Sequence, residues 1–241
     1  MTTATQHDRQ RLLEHLLADT RLDAAAAVRP LPEVPAQTAA APADGPLITL
    51  PPPAAPRATL TATLADRSAA RDFGRTPMAA ADLCALLAAA DTMDAGSWPG
   101  ERAAGVDLEI HCAVWRVDGV PAGLYRYPPA GDSLIRVADL PEGPAAEELV
   151  MQREFAGAAA VVVLTGNLAA ALARHGSHGH RLLLTRAGAA GHAAWLAAIR
   201  LGLVGSVFAG LLPHVLKELA GADGYRRAAL FAFAAGHPGG S

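Results

Sequence analysis

The first periodic feature of the chain is a stripe of leucines near its N-terminus. In residues 7–19 (HDRQRLLEHLLAD), Leu12, Leu13, Leu16 and Leu17 recur at i, i+4 spacing among charged and polar residues. This spacing places the four leucines on one side of a helix. The segment is therefore predicted to be a short amphipathic helix whose apolar face packs on the body of the protein or on a partner subunit. A recognition helix is the alternative.

The rest of the chain mixes helical and strand patterns. Helices are predicted for 58–66, for a segment opened by Pro77 with Thr76 as its N-cap, for 143–155, for 180–201 and for 212–220. Strands are predicted for 106–117, 123–127, 133–137, 159–166 and 227–236, with a hairpin turn at PPAGD. Long helices, a hairpin and separated strands favour an α+β fold over repeated βαβ units.

A stretch rich in proline and alanine, residues 29–56, follows the N-terminal helix. Proline lacks an amide donor and fixes φ, so this stretch is predicted to be an extended strap or a flexible linker. A ligand for another protein's proline-binding groove is the alternative. The sequence thus predicts an N-terminal helical arm at 1–28, the strap at 29–56 and a folded domain at 57–241.

Composition and charge exclude several classes of protein. The 241 residues are 51% hydrophobic and 18% charged, which argues against wholesale disorder. The net charge of −3 argues against a nucleic-acid binder, because neutralising phosphates needs a basic surface. Cys84 and Cys112 form neither a CxxC motif nor a disulfide framework, so a reducing cytoplasm is predicted. No signal peptide and no membrane-spanning apolar run is recognised, so no membrane association is expected.

Three segments carry candidate chemistry. In the first, Arg67-Ser-Ala-Ala-Arg71-Asp-Phe73, two arginines four apart can converge on one anion, and arginine matches phosphate oxygens well. The second, residues 173–181, holds three histidines, two arginines and two glycines, a composition that suits an active-site loop, a metal site or a solvated surface loop. The third, residues 186–203, is a helix of small residues that permits close packing against another helix or a flat ligand.

These segments, in this order, resemble the nitroreductase-like flavoproteins. They look most like the SagB-type dehydrogenase branch, which includes the azoline oxidases of thiazole- and oxazole-modified peptide biosynthesis. That branch has an R-R-S-x-R-x-F motif, a GLY-x-Y strand, a buried vvlt strand, a K-Y-G-x-R-x-Y-R loop and an E-x-G-x-x-x-Q-N-x-x-L-x-A-x-x-L-G-L helix. The matching positions are, in the same order, 67–73, 123–127, 161–165, 174–181 and 188–203.

The resemblance implies a nitroreductase-like α+β fold, with a mixed central sheet flanked by helices and two intertwined subunits. It implies FMN at the interface of a homodimer, or of a heterodimer with a related subunit, and oxidation of a peptide-derived substrate from azoline to azole. A cyclodehydratase is a further candidate partner. Arg174 and His175 occupy the catalytic Lys-Tyr positions. The positions that bind FMN are occupied by Arg67, Ser68, Ala69, Arg71, Gly188 and His192.

Several positions depart from the family motifs. Ser68 and Ala69 replace an arginine and a serine, and His192-Ala193 replaces a Gln-Asn pair. At the catalytic positions, arginine stays charged and is a poor base, whereas histidine is able to take a proton near neutral pH. These departures motivate a second hypothesis, a flavin-free or catalytically silent scaffold or heterodimer partner. A third hypothesis is an NAD(P)H-dependent nitro- or quinone reductase.

Overall fold

The computed structural model of the protein describes residues 3–21, 30–36, 45–129, 131–140, 150, 152–210, 217 and 221–240. Its helices are α1 (Thr3–Asp19), α2 (Leu60–Asp66), α3 (Ala80–Ser97), α4 (Pro99–Ala103), α5 (Leu168–His175) and α6 (His178–Arg200). Its strands are β1 (Leu47–Thr49), β2 (Leu108–Val114), β3 (Gly123–Tyr127), β4 (Ser133–Ala138), β5 (Ala160–Gly166), β6 (Val204–Phe208) and β7 (Ala228–Gly236). A 3-10 helix covers Arg153–Gly157, at the end of the helix predicted for 143–155. Val150 and Gln152, also within that prediction, are described and are not helical. Its remaining residues, and nearly all of the helix predicted for 212–220, lie outside the described residues.

The strands form one sheet in the order β1-β4-β3-β2-β5-β7-β6. This confirms the α+β fold class. The expectation of a mixed sheet is corrected, because every strand pairing in the described part of the chain is antiparallel. The reason is visible in β2, β3 and β4, which follow one another along the chain and in the sheet, and short connections of that kind require antiparallel neighbours. The intertwined dimer stays a prediction, since a single chain does not test it.

The helices α3 and α6 pack on each other and cover one face of the sheet. Strand β5 lies in the interior of the sheet, between β2 and β7, and all seven of its residues are buried. Its run of valines suits this position, because a central strand that is covered on both faces is apolar throughout. On the opposite face a second apolar cluster contains the stacked rings of Phe155 and Phe208, whose centroids are 4.3 Å apart.

Helix α6 is the main packing element of the domain. Its small residues Ala187, Ala190 and Ala194 are fully buried, in agreement with the close helix packing that the sequence suggested. It ends at Arg200, followed by Gly202 at φ +79, a backbone conformation that glycine adopts without strain. Among the described helices, α6 is the one whose length and composition would allow it to cross a bilayer, but here it is a core helix of the domain.

The start of α3 differs from the sequence prediction. The helix begins at Ala80 and its N-cap is Ala79, without a side-chain capping bond, so the prediction of Thr76 as N-cap and Pro77 as first helical residue is wrong. The reason is that Met78 is fully buried and its backbone pairs elsewhere. Its N–H donates to Arg116 O at 3.0 Å, and its carbonyl accepts from Asp118 N–H at 2.9 Å. These bonds hold the residue extended and delay the helix.

The N-terminal helix forms as predicted, but the described part of the chain leaves its apolar face exposed. Leu12, Leu13, Leu16 and Leu17 are 44% to 69% exposed. Within the predicted strap, Leu47–Thr49 pairs with β4 and forms the edge of the sheet. The sheet therefore begins before Arg57, inside the stretch that the sequence assigned to the strap.

A buried histidine on β2 makes acid sensitivity a testable property of the fold. His111 is buried, and burial lowers its pKa to about 4; Arg227 and Arg126 act in the same direction, whereas Glu109 opposes them. The unfolded chain protonates this ring near its ordinary pKa of 6.5, so folding is destabilised as pH falls from 6.5 towards 4. The free energy of unfolding changes by about 1.4 kcal/mol per pH unit for one such group. We therefore expect His111 to make the free energy of unfolding about 3 kcal/mol lower at pH 4 than at pH 7.

Urea unfolding at pH 7 and pH 4.5 checks this expectation. The His111→Gln variant keeps a polar side chain but does not titrate, so its stability is expected to fall less between the two pH values than that of the wild-type protein. An identical fall in both proteins would show that His111 is protonated in the folded state.

Candidate functional site

The first predicted site segment is held in an extended conformation across the ends of β6 and β7. Ala70 N–H donates to Gly205 O at 3.0 Å, and Gly74 N–H donates to His237 O at 2.9 Å. Because the backbone is anchored on the sheet, the segment is fixed in place while its side chains face solvent. The exposed residues include the predicted cofactor-binding positions Arg67, Ser68, Ala69 and Arg71.

Arg67 has an uncompensated positive charge. Its guanidinium lies 4.9 Å from the centroid of the Trp195 ring, as in a cation–π contact, and it forms no ion pair with the described residues. Arg71 is 3.4 Å from the carboxylate of Glu154, and both side chains are exposed, so solvent screens this pair. The donors of Arg67 are therefore available to an anion.

Trp195 was not selected as a site residue from the sequence. It is buried on α6, and its Nε1 atom donates no hydrogen bond within the described part of the chain. His192, one turn earlier, is exposed and approaches the Trp195 ring edge-on at 6.0 Å. We call Arg67, His192 and Trp195 the arginine–tryptophan cluster. A tryptophan three residues after a candidate site histidine was the one sequence signal that could have identified it.

Gly188 lies one turn before His192 on the same helix. A Cβ atom added at this glycine would meet no described atom within 4 Å, so none of the described residues requires a glycine here. The open space leaves room for a ligand or for a second chain. The structure thus places the half-buried Gly188 and the exposed His192 along one strip of α6.

The two predicted catalytic residues meet a carboxylate that the sequence analysis did not single out. His175 Nε2 lies 2.7 Å from Glu101 Oε2, and Arg174 Nε donates to Glu101 Oε1 at 3.3 Å. Arg174 Nη1 also donates to the carbonyl of Pro32 at 3.0 Å. Burial alone would raise the pKa of Glu101, but the hydrogen bonds and charges of His175 and Arg174 lower it below its ordinary value. We call these three side chains the Glu101 cluster.

The ionised carboxylate of Glu101 determines which nitrogen of the His175 ring carries the proton. A carboxylate only accepts hydrogen bonds, so the Nε2 atom that faces it carries the proton. In the neutral ring the lone pair then lies on Nδ1, which is the atom free to take a proton from a substrate. Carboxylates hold histidines in one tautomer in this way in general-base catalysis.

The histidine-rich segment 173–181 is a helix junction rather than a long loop. Helix α5 ends at His175, Gly176 turns at φ +58, and α6 begins at His178. A polar contact of 3.3 Å joins His178 Nδ1 to Thr20 O, which ties the end of the N-terminal arm to this junction. No group of three or more potential metal ligands occurs among the described residues.

The structure does not bring the two groups of predicted site residues together within one chain. The Glu101 cluster lies where α6 begins, and the arginine–tryptophan cluster lies near its other end. Trp195 follows His178 by 17 residues, which corresponds to about 26 Å along a helix at about 1.5 Å per residue. One FMN molecule does not span that distance, so a site that uses both clusters needs residues of two chains.

Comparisons with known proteins give structural matches alone. No protein-family model matches the chain, and no curated protein does. A protein of Anabaena variabilis assigned as a nitroreductase is 26% identical with a TM-score of 0.63, over 74% of this chain and 38% of that one. The match therefore spans well under half of the Anabaena protein.

Two further solved structures show the same fold. A protein of Ralstonia eutropha assigned as a nitroreductase is 22% identical, with a TM-score of 0.62 over 88% of this chain and 100% of that one. A chain of the E. coli microcin synthetase McbBCD complex, solved with truncated pro-MccB17 bound, is 20% identical, with a TM-score of 0.56 over 74% of this chain and 73% of that one. The chain has the nitroreductase fold.

Proposed function

We propose that this protein is an FMN-dependent oxidoreductase that oxidises a peptide-derived substrate, most simply an azoline ring to an azole. The observation that carries the proposal is the arginine–tryptophan cluster. It combines an arginine that has no carboxylate partner and a buried tryptophan N–H that has no acceptor among the residues that the structure describes. By the resemblance, Arg67 occupies a position that would hold the cofactor phosphate, and the Trp195 side chain lies beside its guanidinium.

The residues present fit FMN at this position. Arg67, assisted by Arg71, would hold the phosphate through charge-assisted hydrogen bonds. Gly188 and His192 would line the adjoining strip of α6, where the structure leaves open space. Hydride acceptance is the chemistry that bound FMN would supply.

The reaction also requires removal of a proton from the substrate, and this role is assigned to the Glu101 cluster. His175 takes the ring proton of the substrate at Nδ1, and Glu101 fixes the ring and stabilises the positive charge that forms. Arg174 remains cationic throughout and orients an electron-rich group of the substrate. The assignment is supported by the 2.7 Å contact between His175 and Glu101.

A homodimer joins the two clusters. A two-fold axis near the middle of α6 would place the arginine–tryptophan cluster of one subunit opposite the Glu101 cluster of the other. An apolar groove of about 470 Å³ on the outer side of α3 and α6 supports this arrangement, because its walls contain Ala88, Ala89, Met93 and Ala193 and no charged residue. An uncharged groove with apolar walls suits contact with a second subunit.

The substrate class rests on two supports. The sequence resembles azoline oxidases, and one structural neighbour is a synthetase complex solved with a bound pro-peptide fragment. The proposal includes a cytoplasmic location and a cyclodehydratase that would supply the azoline. It does not depend on the identity of the peptide.

The cofactor assignment is tested by titration with FMN. Arg67→Ala is expected to raise the dissociation constant of FMN by about 10- to 100-fold, because a charge-assisted hydrogen bond contributes about 1.5 to 3 kcal/mol. Quenching of FMN fluorescence measures the constant directly. Size-exclusion chromatography with light scattering, on the same samples, reports whether the protein is a dimer.

Arg75→Ala is the matched control, since Arg75 is an exposed arginine close to the same segment. It should leave FMN affinity unchanged. Equal affinities for the wild-type protein and Arg67→Ala would remove Arg67 from the site. Wild-type protein that takes up no FMN would overturn the proposed function.

One specific observation favours a second candidate, the silent scaffold or heterodimer partner. Ala69 and Ala193 stand at motif positions that carry a serine and an asparagine in the family, so two side-chain contacts to a flavin are missing. Failure to bind FMN alone, together with co-purification with a related subunit that does bind it, would favour this candidate. The third candidate, an NAD(P)H-dependent reductase, would bleach bound flavin rapidly when NADH is added without oxygen.

A further inference from the structure

A second cavity lies apart from the residues assigned to the flavin. It has a volume of about 200 Å³ and opens where α4 leads into β2 and where β3 ends. Its polar walls are formed by Asp91, Arg102, Asp107, Glu109 and Arg126. Pockets for drug-sized ligands are larger, so this one suits a molecule of only a few heavy atoms.

Most charges of this cavity are already paired within the chain. Arg102 Nη1 donates to Asp91 Oδ1 at 2.9 Å. Glu109 accepts two hydrogen bonds from Arg227, at 2.6 and 3.2 Å. Of the two arginines in the wall, Arg102 is therefore paired. Of its three carboxylates, those of Asp91 and Glu109 are paired.

Arg126 is the arginine that remains. Its Nε atom is buried and donates no hydrogen bond to the described residues. In the sheet, Arg126 stands opposite His111. Burial lowers the pKa of His111 to about 4, so its ring is uncharged near neutral pH. His111 therefore offers no negative charge to the Arg126 guanidinium. A buried guanidinium donor without an acceptor is rare, because desolvation is costly when no bond replaces water.

Asp107 is the carboxylate that remains. It precedes β2, and its side chain accepts no hydrogen bond from the described residues. Burial, followed by repulsion from Glu109, raises its pKa. Within one small cavity, the described residues therefore present one buried cationic donor without a protein acceptor and one solvent-exposed carboxylate without a protein donor.

We infer that this cavity binds a small zwitterion of the α-amino acid class. The ligand's carboxylate accepts hydrogen bonds from the Arg126 guanidinium, and its ammonium group donates to the Asp107 carboxylate. Arginine binds planar carboxylates through two parallel bonds, which suits the Nε edge that is free here. A phosphate dianion is disfavoured, because the three carboxylates of the wall would repel it.

Glycine is the probe that tests the site. In the wild-type protein, glycine should shift the side-chain Nε–Hε NMR signal of Arg126 in a saturable way. Arg126→Gln identifies that signal and should weaken glycine binding, measured by calorimetry, by roughly 10- to 100-fold, the effect of one charge-assisted pair. Asp107→Asn should weaken it by a similar factor, and this variant keeps the size of an exposed side chain.

Controls separate this site from general ion binding and from the flavin site. Arg11→Gln, an exposed arginine on α1, should bind glycine as the wild-type protein does. Acetate and methylamine each carry one half of the zwitterion and should bind more weakly than glycine. The inference is overturned if glycine leaves the Arg126 signal unmoved, if inorganic phosphate binds as well as glycine, or if Asp107→Asn has no effect. FMN titration of the same variants shows independently whether the proposed cofactor site is intact.

Discussion

Replacing His175 with glutamine is expected to lower kcat for oxidation of an azoline-containing peptide by about 100- to 10,000-fold, the range found when a general base is lost. Glutamine fills a similar space and can still bond to Glu101, but it has no nitrogen that takes a proton near neutral pH. Mass spectrometry of the azole product measures the rate. FMN affinity should change much less than kcat, because the FMN phosphate is assigned to Arg67, whereas His175 is bonded to Glu101 and is assigned to the substrate proton.

His180→Gln is the matched control for this experiment. His180 lies on the first turn of α6, in the same histidine-rich segment, and forms no hydrogen bond with the described residues. Its replacement should have little effect on kcat. If His175→Gln retains the wild-type kcat while binding FMN normally, another group removes the proton and the role proposed for the Glu101 cluster is wrong.

Glu101→Gln separates tautomer control from simple packing. The glutamine amide is able to donate to His175 Nε2, which would move the ring proton to Nδ1 and occupy the lone pair that the reaction needs. We therefore expect a loss of kcat comparable to that of His175→Gln, although the histidine is still present. A purely structural role of Glu101 would instead lower the melting temperature and leave the kcat of the folded fraction unchanged.

The strands were predicted more accurately than the helix ends, for a physical reason. Gly123–Tyr127 agrees at both ends with the prediction, and the buried β5 differs from it by one residue. Runs of β-branched and aromatic residues carry a local signal for strands. The start of α3 depended instead on Met78, whose backbone bonds to residues 116 and 118 are tertiary contacts. A local pattern at Thr76 and Pro77 contains no information about them.

The same distinction applies to the candidate site. The motifs indicated Arg67 and His175 because short spacings were enough to identify them. The contacts that define their environment come from distant parts of the chain: Glu101 precedes His175 by 74 residues, and Trp195 follows Arg67 by 128 residues. The alanine-rich composition added to the difficulty, because alanine suits a core and a surface equally well. The two-cluster arrangement therefore became visible only in the folded chain.

Loss of the buried ion pair between α3 and α6 is expected to have the largest effect on stability. Arg186 and Asp94 have side chains that are 0% and 2% exposed, and two bonds of 2.8 and 2.9 Å join them. A third bond, 2.8 Å long, runs from Arg186 Nη1 to Val106 O. Asp94→Asn removes the charge that compensates the guanidinium and should lower the free energy of unfolding by about 3 to 5 kcal/mol, measured by urea denaturation.

The double variant Asp94→Leu with Arg186→Met shows why the single change is so costly. Removing both charges leaves no buried ion without a partner, and apolar side chains fill the space, so most of the lost stability should return. The free energy of unfolding of the double variant should stay about 1 kcal/mol below that of the wild-type protein, because Val106 O loses its donor. Asp91→Asn is the control, since its partner Arg102 is 21% exposed and partly solvated. This substitution should lower the free energy of unfolding by less than Asp94→Asn does. Equal costs for Asp91→Asn and Asp94→Asn would mean that water reaches Arg186, and that the two helices are packed less tightly than the buried pair indicates.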